Sequence, residues 1–156
     1  MSKQNLQTLL QRIGQMAGIP DLALDDGGYC QLRLDGKLDI SIEFLEDGEQ
    51  AVFTARCGAF GDHNRAGVLQ QIADANFYWV GSGGGTLSTN SREGMVYLQF
   101  REPTAQMDQA RLEKLLQALV MNAESWSARL ADPAPASSPA PASDTPAAGG
   151  MLANWA

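Results

Sequence analysis

The glycine run VGSGGGTLSTN, at residues 80–90, is the stretch of this sequence whose composition could bind a phosphate. Backbone N–H groups of a glycine-rich loop bind phosphate when a strand precedes the loop and a helix follows it. Here the hydrophobic pattern predicts the reverse order, with a helix before Gly81 and a strand after Thr86. The lysine of a Walker motif is also missing. We therefore interpret the run as structural, with Gly81 ending the helix in the left-handed conformation that glycine tolerates.

Residues that could support nucleophilic or metal chemistry are few. His63, the one histidine of the sequence, lies in a polar loop beside Asp62, and neither a GxSxG motif nor a cysteine-protease signature accompanies it. One histidine and two separated cysteines, Cys30 and Cys57, supply too few nitrogen and sulfur ligands for a zinc site. We therefore predict no catalytic residue, no metal site and no cofactor.

Composition and charge narrow the class of protein. A length of 156 residues suits one domain, and a hydrophobic content of 44% is enough for a core. The net charge of -7 argues against a nucleic-acid partner, because the phosphate backbone would be repelled. The sequence has no apolar window long enough to span a membrane, and its first residues lack the apolar core of a signal peptide. We expect a soluble, cytoplasmic protein.

The composition changes at residue 132. Residues 132–156 contain five of the seven prolines, set among alanine, serine and glycine. Such a segment has little apolar surface to bury, so we predict a domain at residues 1–131 and a disordered tail at residues 132–156. Met151, Leu152 and Trp155 in this tail could dock in a groove. The alternative is that they belong to a frayed terminus.

Hydrophobic periodicity predicts the secondary structure. Apolar residues at helical spacing predict helices over residues 4–17 and 65–80, and a final helix that Asp108 caps. Alternating apolar residues predict five strands, at residues 30–34, 38–44, 51–57, 86–90 and 95–100. Aspartate-glycine pairs at residues 35–36 and 47–48 predict tight turns between the first three strands. The order α-β-β-β-α-β-β-α predicts an α+β fold, with a small antiparallel sheet packed against helices.

This order of elements, with several local motifs, resembles the class I type III secretion effector chaperones, the Tir-chaperone (CesT-like) family. The resemblance covers residues 3–131. Its motifs are ADANFYW at residues 73–79, the glycine-rich passage into Thr86-Leu87, the turn SREG, the strand VYLQF and the last helix with Trp126.

The resemblance implies a cytoplasmic homodimer that binds the amino-terminal segment of a type III secreted effector. The chaperone would keep that segment soluble and extended until secretion, without hydrolysing ATP. An extended segment binds by adding a strand to a sheet edge and by placing side chains in apolar pockets. The resemblance also allows the secretion ATPase as a partner.

Two sets of apolar residues are candidates for these contacts. The candidates for effector binding are Leu32, Leu34, Ile40, Ile42 and Phe44. The candidates for the dimer interface are Val68, Leu69, Ile72, Phe77 and Leu87. Ordinary core packing is the alternative for every residue in both sets.

Two other functions stay open at this point. The first is a regulatory binding protein of the same fold that is unrelated to secretion. The second is an enzyme that uses His63, Asp62 and the glycine run. A neighbouring gene for a large secreted protein would favour the chaperone over the regulator.

Overall fold

The computed structural model describes residues 2–131, except for the side chain of Ser2. The predicted tail, with Met151, Leu152 and Trp155, lies outside the described residues. The helices are α1 (Ser2–Ala17), α2 (Arg65–Asn76) and α3 (Gln109–Ala131). The strands are β1 (Tyr29–Leu34), β2 (Leu38–Leu45), β3 (Gln50–Ala59), β4 (Thr86–Asn90) and β5 (Met95–Pro103). The predicted order of elements is confirmed.

The five strands form one antiparallel sheet in the order β1-β2-β3-β5-β4, as the strand pattern predicted. This order leaves β1 and β4 as the two edge strands of the sheet. Side chains alternate between its faces, and the β3 side chains of Phe53 and Ala55 are fully buried. The sheet therefore has one apolar face toward the core and one polar face.

Helices α1 and α3 supply the other half of the core. Leu6 and Leu10 of α1 are fully buried, and so are Leu112 and Leu119 of α3. Asp108 begins α3 by accepting a hydrogen bond from the Arg111 N–H at 2.8 Å, which confirms the predicted cap. The long helix α3 packs along β3 and β5, so it fixes the position of the sheet's apolar face.

The end of α2 differs from the prediction. The helix ends at Asn76 rather than continuing to residue 80, and Tyr78 and Trp79 adopt positive φ angles of 51° and 56°. Gly81 is not left-handed. A Cβ on residue 81 would lie 2.7 Å from the Ala75 Cα. Glycine is therefore required at this position because the chain passes close to α2. The expectation that Gly81 caps the helix was wrong.

The glycine run packs against the rest of the domain. Three of its N–H groups, those of Gly81, Gly84 and Gly85, donate to backbone carbonyls within residues 75–82. The Trp126 indole N–H of α3 donates to the Gly81 carbonyl at 3.1 Å. Three of the N–H groups that could bind a phosphate are therefore already used within the fold, which agrees with the structural interpretation of the run.

The side chain of Asn76 holds the end of α2 against β4. Its Nδ2 donates to the Leu87 carbonyl and its Oδ1 accepts from the Leu87 N–H, both at 2.9 Å. In the register of β4 with β5, Leu87 lies opposite Leu98. The amide of Asn76 thus occupies the outer hydrogen-bonding groups of Leu87, near the start of this edge strand.

Replacing Asn76 with alanine should lower the free energy of unfolding by about 1–3 kcal/mol, because the two Leu87 backbone groups lose their partners in a partly buried position. Urea denaturation measures this change. The matched control is Gln70→Ala, which removes an exposed hydrogen bond to Asp74 and should change stability by less than about 0.5 kcal/mol. Equal effects of the two substitutions would contradict this account of Asn76.

Candidate functional site

An apolar cavity lies between the β1–β2 hairpin and the helices α1 and α3. Four of the five predicted effector-binding residues, Leu32, Leu34, Ile40 and Ile42, line it. The other walls come from apolar residues of α1, of the loop after it and of α3, including Leu116 and Val120. The cavity has a volume of about 120 Å³ and every lining side chain is apolar.

The predicted effector-binding residues differ in their exposure. Ile40, Ile42 and Phe44 are buried in the core of the domain, whereas Leu32 and Leu34 on the edge strand are half-buried. Phe44 does not line the apolar cavity. Leu32 and Leu34 are therefore the members of the set that a bound chain could contact.

A second, more polar pocket adjoins the apolar cavity, and Leu34 lines both. This turn pocket lies between the β1–β2 turn and the second half of α3, with a volume of about 350 Å³. Its charged side chains are Asp35, Lys37 and Glu124. The apolar cavity and the turn pocket together form a groove that runs along α3 toward its carboxyl end.

The two edges of the sheet differ in what occupies them. On β4, the side chain of Asn76 satisfies both backbone groups of Leu87. On β1, Asp25 holds both backbone groups of Tyr29, since its carboxylate accepts from the Tyr29 N–H and its own N–H donates to the Tyr29 carbonyl, each at 2.8 Å. Beyond Tyr29, no strand within residues 2–131 pairs with the outer side of β1. The groove and an unpaired strand edge are thus neighbours, since Leu32 and Leu34 belong to β1.

The outer face of the same strands is polar. The Arg33 guanidinium donates two hydrogen bonds to the Asp39 carboxylate, at 2.5 and 2.9 Å, and Arg56 lies 3.9 Å from the same carboxylate. The hydrogen bonds from Arg33 are the main cause that lowers the pKa of Asp39. This face carries paired charges in water, in contrast to the apolar side of β1.

An aromatic patch follows α2. Its four consecutive residues, Phe77, Tyr78, Trp79 and Val80, have exposed fractions of 72%, 76%, 55% and 84%. The rings of Phe77 and Tyr78 meet edge to face, with centroids 4.7 Å apart. Contiguous apolar surface of this kind marks contact sites, and two non-glycine residues at positive φ are also enriched at functional positions.

The predicted dimer-interface residues fall into two groups. Val68, Ile72 and Leu87 are buried within the domain, where α2 packs on the sheet, so ordinary packing accounts for them. Leu69 and Phe77 are exposed. The sequence prediction did not include Tyr78, Trp79 and Val80. The signal that could have found them is the run YWV, which is bulkier and more aromatic than a connection between two elements requires.

The residues weighed for catalysis do not come together. Asp62 forms an ion pair with Arg65 at 2.9 Å, and His63 is exposed in the loop before α2. Cys30 and Cys57 are both buried, free thiols. Burial raises the pKa of the Cys57 thiol from 9.0 to about 12, so at neutral pH it is a protonated core residue.

The raised pKa of Cys57 predicts a pH dependence of stability. In the unfolded chain the thiol ionises near its ordinary pKa of 9.0, whereas the folded chain keeps the proton until about pH 12. Stability should therefore fall as the pH rises above 9.0, by up to about 1.4 kcal/mol per pH unit. Urea denaturation at about pH 8 and about pH 10 should show a larger loss for the native chain than for Cys57→Ala. Equal losses of stability in the native chain and in Cys57→Ala would contradict this prediction.

Within residues 2–131, no group of three or more histidine, cysteine, aspartate or glutamate residues is arranged to hold a metal ion. None of the described helices combines the length and apolarity that crossing a membrane requires.

The fold and these surfaces define a small α+β protein with an apolar cavity at one sheet edge and an exposed aromatic patch. The sequence matches the model of the Tir chaperone protein (CesT) family over residues 8–127, and the chain belongs to that family. The predicted identity as a class I type III secretion chaperone is thereby confirmed. No curated protein sequence matches the chain significantly.

Solved structures share the fold at low sequence identity. A chain of the ExsC–ExsE complex has a TM-score of 0.72 at 24% identity, with 82% of this chain and 95% of that chain covered. A chain of the ExoU–SpcU complex from the type III secretion system of Pseudomonas aeruginosa has a TM-score of 0.61 at 19% identity, covering 83% and 99%. A chain of the HopA1–SchA chaperone–effector complex has a TM-score of 0.66 at 16% identity, covering 82% and 97%.

Proposed function

We propose that this chain is a cytoplasmic, homodimeric chaperone that binds the amino-terminal segment of a type III secreted effector and keeps it soluble and extended. It acts by binding alone, without catalysis. The observation that carries the proposal is the apolar cavity beside the unpaired edge of β1. Membership of the chaperone family, and a fold shared with chains from chaperone–effector complexes, supports it.

The groove and the strand edge suit an extended client. A client strand that pairs with β1 gains main-chain hydrogen bonds, and alternate side chains then point toward the apolar cavity. The backbone contributes affinity without sequence preference, and the cavity selects an apolar side chain. Ordering a flexible client costs free energy, which moderates the affinity and permits release to the secretion apparatus.

The aromatic patch supports the homodimer. Four exposed apolar residues in sequence are costly in water, and covering them with a second copy removes that surface from solvent. A two-fold interface would bring the same residues together from both copies. Leu69 and Phe77, from the predicted dimer set, are exposed and available to such an interface.

Co-purification of the tagged full-length protein from its native cells, under conditions that induce secretion, tests the proposal. We expect a stoichiometric partner that binds through its amino-terminal segment and disappears from the culture medium when this protein is deleted. A secretion ATPase is a further partner to identify in the same sample. Recovery of the homodimer alone, with unchanged secretion on deletion, would favour a regulatory binding protein of the same fold.

A further inference from the structure

The groove along α3 leads toward the point where the described chain stops. Val120 lines the apolar cavity, Glu124 and Ser127 line the turn pocket, and Ala131 is the last described residue. At a helical rise of 1.5 Å per residue, Ala131 lies about 6 Å beyond Ser127 and about 17 Å beyond Val120 along the axis of α3. The segment that follows α3 therefore starts beside the groove.

The sequence after residue 131 contains one apolar cluster. Residues 132–150 are dominated by proline, alanine, serine and glycine, and the sequence then reads MLANWA at residues 151–156. This hexapeptide has three large apolar side chains and no charged side chain. Its composition matches the all-apolar walls of the cavity.

The spacer before the cluster is long enough to reach the groove. A flexible chain of about 19 residues has a root-mean-square span of about 25 Å, and its fully extended length is about 60 Å. Both lengths exceed the distance from Ala131 to Val120 along α3. A tether of this length would give its end an effective concentration in the millimolar range at the groove.

The size of each pocket also fits this segment. An apolar cavity of about 150 Å³ in a protein accepts a benzene-sized group, so the cavity of about 120 Å³ has room for one aliphatic side chain such as that of Leu152. The turn pocket of about 350 Å³ is large enough for the indole of Trp155. Leu152 and Trp155 are three positions apart in the sequence, and Leu34 lines both pockets.

We propose that residues 151–156 occupy the groove of their own chain as an internal ligand that a client must displace. The displacement by a client rests on the proposed chaperone function, whereas the occupancy of the groove does not. An occupied groove would keep the apolar cavity covered while no client is present, and it would reject weakly binding chains.

Nuclear magnetic resonance of the ¹⁵N-labelled full-length protein tests the occupancy. The variant Met151→Ala/Leu152→Ala/Trp155→Ala should change the amide shifts of β1 and of α3 around Leu116 to Ser127. The control Pro139→Ala/Pro141→Ala/Pro146→Ala, in the spacer, should leave those amides unchanged. Shift changes confined to residues near the substitutions would overturn the proposal, and so would changes that vanish on dilution, which would place the segment on a second copy.

A synthetic peptide of residues 147–156 provides the second measurement. It should restore the native shifts in the triple-alanine variant. It should bind that variant about tenfold more tightly than the native chain, because the tethered segment competes in the native chain. Equal affinity for the two proteins would overturn the proposal. No client is present in either experiment, so a failure here is distinguishable from a failure to co-purify an effector.

Discussion

Replacing Leu32 with aspartate should reduce client binding by roughly 30- to 150-fold. Leu32 is half-buried on the edge strand and lines the apolar cavity. In a complex, the client would cover the new carboxylate among apolar side chains. Burying a charge without a partner costs at least about 2–3 kcal/mol, which corresponds to this loss of affinity. Co-purification with the client segment, followed by titration, measures the effect.

The chain offers a matched control one residue away. Gln31 lies on the same strand but is exposed on the polar face, so Gln31→Asp adds the same charge without entering the cavity. We expect it to retain client binding within about threefold. Equal losses for the two variants would show that charge on β1 matters and that the cavity does not.

A second variant keeps the test decisive if Leu32→Asp destabilises the fold. Leu116→Phe enlarges a half-buried side chain on the α3 wall of the cavity and introduces no charge. It should also weaken client binding, because it occupies the volume that a client side chain needs. Full client affinity of a folded Leu116→Phe protein would exclude the cavity as the contact site.

The double substitution Phe77→Asp/Trp79→Asp should convert the proposed homodimer into a monomer. Aromatic residues at the centre of an interface each contribute about 2 kcal/mol or more, and a two-fold interface contains every residue twice. Losing even one such residue from both copies weakens the dimer by about 4 kcal/mol, or roughly 1000-fold. Both side chains are exposed in the single chain, so the fold should tolerate the change. Sedimentation equilibrium over a dilution series measures the dissociation constant.

Met121 provides the control for the dimer prediction. It is an exposed apolar residue on α3, outside the aromatic patch, with an exposed fraction of 62%. Met121→Asp removes an exposed apolar side chain and adds a charge, yet it should leave the dimer intact. A dimer that survives Phe77→Asp/Trp79→Asp, or one that Met121→Asp dissociates, would place the interface elsewhere.

The element order was predictable because it depends on local patterns. Apolar residues three and four apart predicted the helices, and alternation predicted the strands that the sheet contains. The end of α2 was not predictable in this way. The run FYWV continues a sequence that is compatible with a helix, whereas in the fold the helix ends at Asn76 and the Gly81 N–H donates to the Ala75 carbonyl at 3.0 Å. The Gly81 carbonyl also accepts from the Trp126 indole of α3, a contact between residues far apart in sequence that only the folded chain forms.

Alternation placed the effector-binding candidates on one face of the sheet, but it could not separate buried members from accessible ones. Ile40 and Ile42 belong to β2, which has a neighbouring strand on each side, so they lie in the core. Leu32 and Leu34 belong to the edge strand and stay half-buried. For α2, the same periodic pattern included buried Val68 and exposed Leu69. The dimer and effector roles of both sets stay predictions.

The sequence by itself determined the family, the order of the elements and the face of each strand that is apolar, because these depend on residue type and short-range spacing. Tertiary structure alone decided which apolar residues stay accessible. The order β1-β2-β3-β5-β4 makes β1 an edge, the side chain of Asn76 occupies the other edge at Leu87, and α3 closes one wall of the cavity. Accessibility depends on which elements cover a residue, and that covering is set by contacts between residues far apart in sequence.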